Sequence, residues 1–228
     1  MQPTFVKQRA HAKLTLSLRV VGVRDDGYHL LDAEMVALDL HDTLAFSPGR
    51  NDLPADDLVS RALRAVKREQ DTHVALTKRI PVGAGLGGGS ADAAAVLRCA
   101  GCHDLDVAVL LGADVPFCLV GGRARVRGIG EVVEPLPFEA RTFTLLTPPF
   151  PVSTPAVYAA WDKLGGPSAD GPNDLEPAAL AVEPRLAEWR DRLGEATGAV
   201  PRLAGSGSTW FVDGGFPGDG RVVVQTVR

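Results

Sequence analysis

The sequence predicts a mixed fold of helices and antiparallel strands, and three stretches carry that prediction. Across 5–23, Leu14, Leu16, Leu18 and Val20 alternate with Thr15, Ser17, Arg19 and Val21, the period of a strand with one buried face. Across 56–68, Leu58, Ala62, Leu63, Ala65 and Val66 form an apolar helical stripe that Asp56 or Asp57 can cap. Across 74–99, an apolar, β-branched strand (74–80) runs through five glycines into an alanine-rich helix (91–99).

The remaining elements follow in order. Arg24, Asp25, Asp26 and Gly27 make a turn, because Asp and Gly tolerate turn backbone angles. Two further strands are expected at 34–39 and 42–46, then a Pro/Gly/Asn/Asp loop at 48–54. A short helix is expected at 105–111, strands at 118–120 and 123–127, and a tight turn at 128–131. Beyond 135–139 come a strand at 143–147, a helix at 154–164 with Thr154 as cap and Pro155 in its first turn, and a helix at 183–193. A second glycine cluster, Ala204-Gly205-Ser206-Gly207-Ser208-Thr209, precedes a closing strand at 221–227.

At 228 residues the chain can bury a real core, as one large domain or two small ones. Its 45% hydrophobic and 23% charged content is that of a soluble globular protein. A net charge of −4 argues against a nucleic-acid partner held by general basicity, so a phosphate ligand needs local charge, with Lys13, Arg24, Lys78 and Arg79 as candidates. No apolar run has membrane-spanning length, and 1–13 lacks the apolar core of a secretory signal; a cytoplasmic protein with no membrane partner is expected. Cys99, Cys102 and Cys118 are an odd count, which suits reduced thiols. Cys99-Ala100-Gly101-Cys102-His103 has the spacing of a haem-attachment or redox motif, but its place at a helix end favours two structural cysteines and a loop histidine.

The chemistry is expected at the glycine loop. Without Cβ atoms its backbone can approach a phosphate closely, and the N–H groups and dipole of the following helix add attraction. The loop ends neither as a Walker loop nor as a dinucleotide fingerprint. A tight turn without ligand is the plain alternative.

Four features stand together with the late glycine cluster: Lys13 in Ala12-Lys13-Leu14, the turn Asp26-Gly27-Tyr28-His29, the glycine loop, and Leu111-Gly112-Ala113-Asp114-Val115-Pro116-Phe117. On these motifs, over about 12–212, the chain resembles the GHMP kinase superfamily, and within it the branch acting on a cytidine-diphosphate conjugate of methylerythritol. The resemblance implies a two-domain α+β fold: a ribosomal-S5-domain-2-like ATP-binding domain (1–138) and a ferredoxin-like C-terminal domain (139–228). It implies ATP-dependent phosphorylation of the 2-hydroxyl of that conjugate, in isoprenoid-precursor synthesis. Other GHMP small-molecule kinases, and a weakly catalytic nucleotide-binding paralogue, are the alternatives.

By the same resemblance Asp114 matches the catalytic aspartate and Lys13 the catalytic lysine, which keeps Asp114 ionised and offsets charge on the reacting oxygens. Pro81, Val82, Gly83, Ala84, Gly85, Leu86, Gly87, Gly88, Gly89, Ser90 and Ala91 match the ATP-binding segment. Ser90 is a candidate for a phosphate oxygen or Mg²⁺, or is only the helix cap. Mg²⁺ is expected with the nucleotide, and no carboxylate cluster announces a protein-built metal site. Tyr28, His29 and Tyr158 match the residues that recognise cytosine, Tyr28 and Tyr158 by sandwiching the base. Taken singly, Asp114 also reads as a turn or cap residue, Lys13 as a surface lysine, and the tyrosines as half-buried core residues. The chain departs from the family pattern at Thr15 and Asp57, each in place of Asn, and in a shortened 100–110 segment. Monomer and homodimer both fit the sequence.

Overall fold

In the computed structural model residues 6–228 are described; the leader reading at 1–5, and Phe5 as a strand start, lie outside them. The first element, β1 (Val6–Val23), turns through 24–28 into β2 (His29–Pro48), forming one long antiparallel hairpin. The two strands expected at 34–39 and 42–46 are thus one. Between the pairs His11↔His41 and Lys13↔Ala37, β2 takes more residues than β1, and this bulge is what interrupts its alternation. β2 also pairs with β3 (Thr72–Thr77) along one half and β4 (Arg123–Gly128) along the other, and β5 (Val132–Pro135) closes that edge.

Helices cover this sheet. α1 (Leu58–Ala65) is shorter than expected, because Lys67 adopts a left-handed conformation (φ 57°) that ends it. Asp57 is its cap, accepting from Val59 N–H at 2.8 Å. α2 (Gly88–Cys99) lies against β1 and between α1 and α4. Its stretch 91–97 is buried throughout, and its alanines allow that close approach. Cys102 N–H donates to Leu97 C=O (2.9 Å) past the end of α2, and all three cysteines are free thiols. α3 (Leu105–Leu111) lies where expected, capped by Asp104. The strand expected at 118–120 is instead helix, α4 (Val115–Val120): Pro116 fixes a helical φ in its first turn, and a short apolar run does not by itself distinguish strand from buried helix.

A second sheet, in the order β7 (Arg202–Leu203), β8 (Trp210–Asp213), β6 (Thr142–Leu146) and β9 (Arg221–Gln225), draws all its strands from 142–225. With it go α5 (Thr154–Lys163), α6 (Glu176–Val182) and α7 (Leu186–Thr197). The helix expected at 183–193 is α7, which begins just past Pro184 and runs on to Thr197, and α6 before it was not expected. Ser153, not Thr154, caps α5, accepting from Ala156 N–H. The α+β class is borne out.

Asp174 joins the sheets. Its carboxylate accepts from Arg19 Nη1 (2.7 Å), Val20 N–H (3.0 Å) and Ala169 N–H (2.9 Å), while Leu18 exchanges backbone bonds with Pro172 and Asp174. Beside it, Asn173 Nδ2 donates to Leu203 C=O (3.0 Å) and Gly205 C=O (2.7 Å), fixing the second glycine cluster. No helix among the described residues is long and apolar enough to cross a membrane.

Candidate active site

The bulge in the hairpin frees Lys13 N–H from the ladder, and it donates to Leu86 C=O of the glycine loop at 3.0 Å. The side chain of Lys13 is buried, and its Nζ donates to Thr15 Oγ1 (3.1 Å) and lies 3.3 Å from Asp114 Oδ2. Thr15 therefore holds the lysine. Asp114 stands at the cap position of α4, yet its side chain makes no capping bond and remains 31% exposed. The cap alternative for Asp114 and the surface alternative for Lys13 both give way to this pair.

The glycine loop is wedged between that lysine and the second glycine cluster. At Gly85 (φ 77°) a Cβ would fall 2.5 Å from Ala204 O, and at Gly87 (φ 67°) 2.7 Å from Lys13 Cγ. Both positions need glycine for conformation and for space. Thr209 N–H donates to Ala84 C=O at 3.1 Å. The loop ends at Gly87, the left-handed cap of α2, so the helix begins earlier than expected and Ser90 lies inside its first turn rather than at its cap. No side chain occupies that cap, which leaves the first N–H groups of α2 directed at the cavity.

That cavity, of about 580 Å³, is lined by Lys13, Thr15, Asp57, Lys78, residues 80–90, Asp92, Asp114, Thr154, Tyr158 and Ser206. Of the four cations expected to supply local charge, Lys13 and Lys78 line it. Lys78 Nζ is bound by Asp42 and by Asp92 Oδ2 (2.7 Å). Burial works against its charge, but the bonds to these two carboxylates prevail and its pKa is raised. Burial pushes the Asp92 carboxyl up to about 7 against the pull of Lys78, and its Oδ1 has no hydrogen-bond partner. Asp42 and Asp92 escaped the sequence reading. The one signal for Asp92 was a carboxylate standing in a run of alanines.

Tyr158 reaches the cavity from α5. Burial first, and then the Asp114 carboxylate, push its phenol above the ordinary value, so the hydroxyl stays neutral. The His29 ring lies 4.7 Å from that of Tyr158 and edge-on to Trp161 at 5.5 Å, and His29 Nε2 donates to Asp162 Oδ1 at 2.8 Å. Tyr28 sits on the turn, 59% exposed and outside the cavity lining. Thr154 Oγ1 and Ser206 Oγ share a hydrogen bond (2.8 Å) across the cavity wall.

Residues 57–122 match the GHMP kinases N terminal domain. A 4-diphosphocytidyl-2-C-methyl-D-erythritol kinase of Ruegeria pomeroyi is 39% identical, the match covering 92% of this chain and 88% of that protein. The crystal structure of a 4-(cytidine 5'-diphospho)-2C-methyl-D-erythritol kinase superposes with a TM-score of 0.77 at 30% identity, over 97% of this chain and 99% of that one. A homoserine kinase from Cytophaga hutchinsonii, at 20% identity, a TM-score of 0.63 and coverage of 100% of this chain and 96% of its own, shares the fold.

Proposed function

The chain belongs to the 4-diphosphocytidyl-2-C-methyl-D-erythritol kinase family of GHMP kinases, and from that premise we propose that it transfers the γ-phosphoryl group of ATP to the 2-hydroxyl of 4-diphosphocytidyl-2-C-methyl-D-erythritol, a step of non-mevalonate isoprenoid-precursor synthesis. The observation that carries this reading is the Lys13–Asp114 pair on one wall of a cavity that also holds a glycine loop and an open helix N-terminus.

Phosphoryl transfer asks the protein for alignment and charge stabilisation. The substrate hydroxyl oxygen bonds to the γ-phosphorus as the bond to the ADP oxygen breaks, and the hydroxyl proton passes to Asp114. Lys13 holds Asp114 in place and offsets charge on the transferring oxygens. The N–H groups of the glycine loop and of the first turn of α2 receive the phosphates. Mg²⁺, carried in with the nucleotide, would neutralise phosphate charge. Ser90, in the first turn of α2, offers one hydroxyl that would hold an ion carried this way. Tyr158, His29 and Tyr28 would hold cytosine, with Tyr28 exposed and free to close on the base.

The same proposal divides the chain into an ATP-binding unit (1–138) and a C-terminal unit (139–228). The placement of one sheet's strands within 6–135 and the other's within 142–225 supports that division. It assigns the protein to the cytoplasm with its nucleotide substrates and requires no nucleic-acid partner. The reaction as written holds for a monomer or a homodimer.

The test is ATP consumption with Mg²⁺ and one acceptor at a time: the cytidine-diphospho conjugate, methylerythritol phosphate, homoserine or mevalonate. Turnover confined to the conjugate and lost in Asp114→Asn is expected. Turnover on homoserine or mevalonate instead would assign another GHMP activity, and ATP binding without any turnover would indicate a binding paralogue.

A further inference from the structure

Away from the nucleotide cavity, and sharing no lining residue with it, a second cavity of about 290 Å³ opens between the start of β1 and the end of α4. Arg9, His11, Arg98 and Arg228 line it, and no Asp or Glu does. Elsewhere arginines on this surface meet carboxylates, as Arg125 meets Asp32 and Arg123 meets Glu34. These three arginines have no ion-pair partner among the described residues.

The charge is uncompensated in depth as well. Arg98 is half-buried, and its guanidinium is spent on carbonyls, donating to Cys118 C=O (2.6 Å) and Arg9 C=O (3.1 Å). Burial works against its charge, and the Cys118 thiol beside it stays protonated, because burial pushes that thiol up to about 12. His11 is held below the ordinary imidazole value by burial first and then by His41, Arg98 and Arg9, all of one sign; the bond to Leu38 C=O alone opposes them. His11 Nδ1 donates to that carbonyl at 2.7 Å, so Nε2 is the atom that takes up a further proton.

We propose that this cavity is an anion site, taking a small phosphate- or diphosphate-bearing molecule through Arg9, His11 and Arg98. Its volume, at the low end for ligand sites, suits such a ligand. A bound phosphate supplies the missing negative charge and favours protonation of His11 at Nε2.

The test is NMR of the imidazole groups in the full chain, with inorganic pyrophosphate as probe and NaCl at matched ionic strength as control. His11 is assigned from a His11→Gln variant. The expected result is a saturable shift of the His11 signals with pyrophosphate and a rise of its pKa by on the order of one unit. Arg9→Gln removes an exposed charge but keeps the backbone carbonyl that receives Arg98, and it should weaken the binding at least fivefold. A His11 response absent, unsaturable, equal in NaCl, or undiminished in a folded Arg9→Gln protein would overturn the proposal.

Discussion

The proposed reacting pair and the aromatic corner each draw on the same hairpin, through Lys13 in β1 and through Tyr28 and His29 at its turn, but are built in opposite ways. Lys13 is 5% exposed and fixed by Thr15, Asp114 and the Leu86 carbonyl. Tyr28, at the hairpin's turn, is 59% exposed, with the Arg24 guanidinium 6.0 Å from its ring. Transfer of a phosphoryl group rewards fixed geometry, because misalignment costs rate directly. Holding a base demands a surface that can close after the ligand arrives.

The largest expected effect separates the two regions outright. Asp114→Asn should reduce kcat by roughly 10²–10⁴-fold with the thermal midpoint nearly unchanged, since this side chain is partly exposed and caps nothing. Steady-state kinetics and a melt on the same sample check it; a kcat within threefold of the parent would remove Asp114 from the reaction.

Next comes the packed seam. Gly85→Ala should destabilise by about 2–3 kcal/mol in urea and weaken nucleotide binding, because the new Cβ meets the Ala204 carbonyl at a positive φ. Gly101→Ala, with a similar φ but open space, should cost about 1 kcal/mol and leave nucleotide affinity alone. Equal effects would mean that contact between the glycine clusters does not shape the loop.

At the aromatic corner, Tyr158→Ala should raise KM for the cytidine conjugate by about 5- to 100-fold, the range of one lost base stack, and change KM for ATP little. Tyr28→Ala should act in the same direction but less, given its exposure. If the ATP KM moved instead, the two rings would belong to the nucleotide donor's pocket.

A further effect concerns pH. Burial raises the Asp92 carboxyl from 3.8 to about 7, so the folded state holds its proton more tightly than the unfolded chain. Its contribution to stability is then full below 3.8 and is lost as pH rises through about 7. Asp92→Asn should flatten this part of the stability curve between pH 4 and 8, and an unchanged slope in thermal melts would contradict the assignment.

Much of this was legible in the sequence where local physics and motif agreed. The glycine loop announced a tight turn feeding a helix, and Leu105–Leu111 was recovered as a helix. What stayed hidden depends on contacts distant in sequence. Asp42 meets Lys78 only when β2 and β3 pair, and Asp174 gains its partners only when the sheets dock. Thr15 looked only like a departure from the family's pattern, but its hydroxyl accepts from Lys13 Nζ and helps to hold that lysine. Residues 118–120 misled for a different reason: an apolar run this short carries no period that tells a helix from a strand.

The most direct test of the central claim, that Lys13 and Asp114 act as one unit, is a double-mutant cycle in kcat with Lys13→Met and Asp114→Asn. Groups that work jointly in the transition state give strongly non-additive losses. The double variant should therefore be no more than about threefold slower than the worse single variant. Losses that multiply would contradict a shared role and leave the 3.3 Å contact as a structural ion pair.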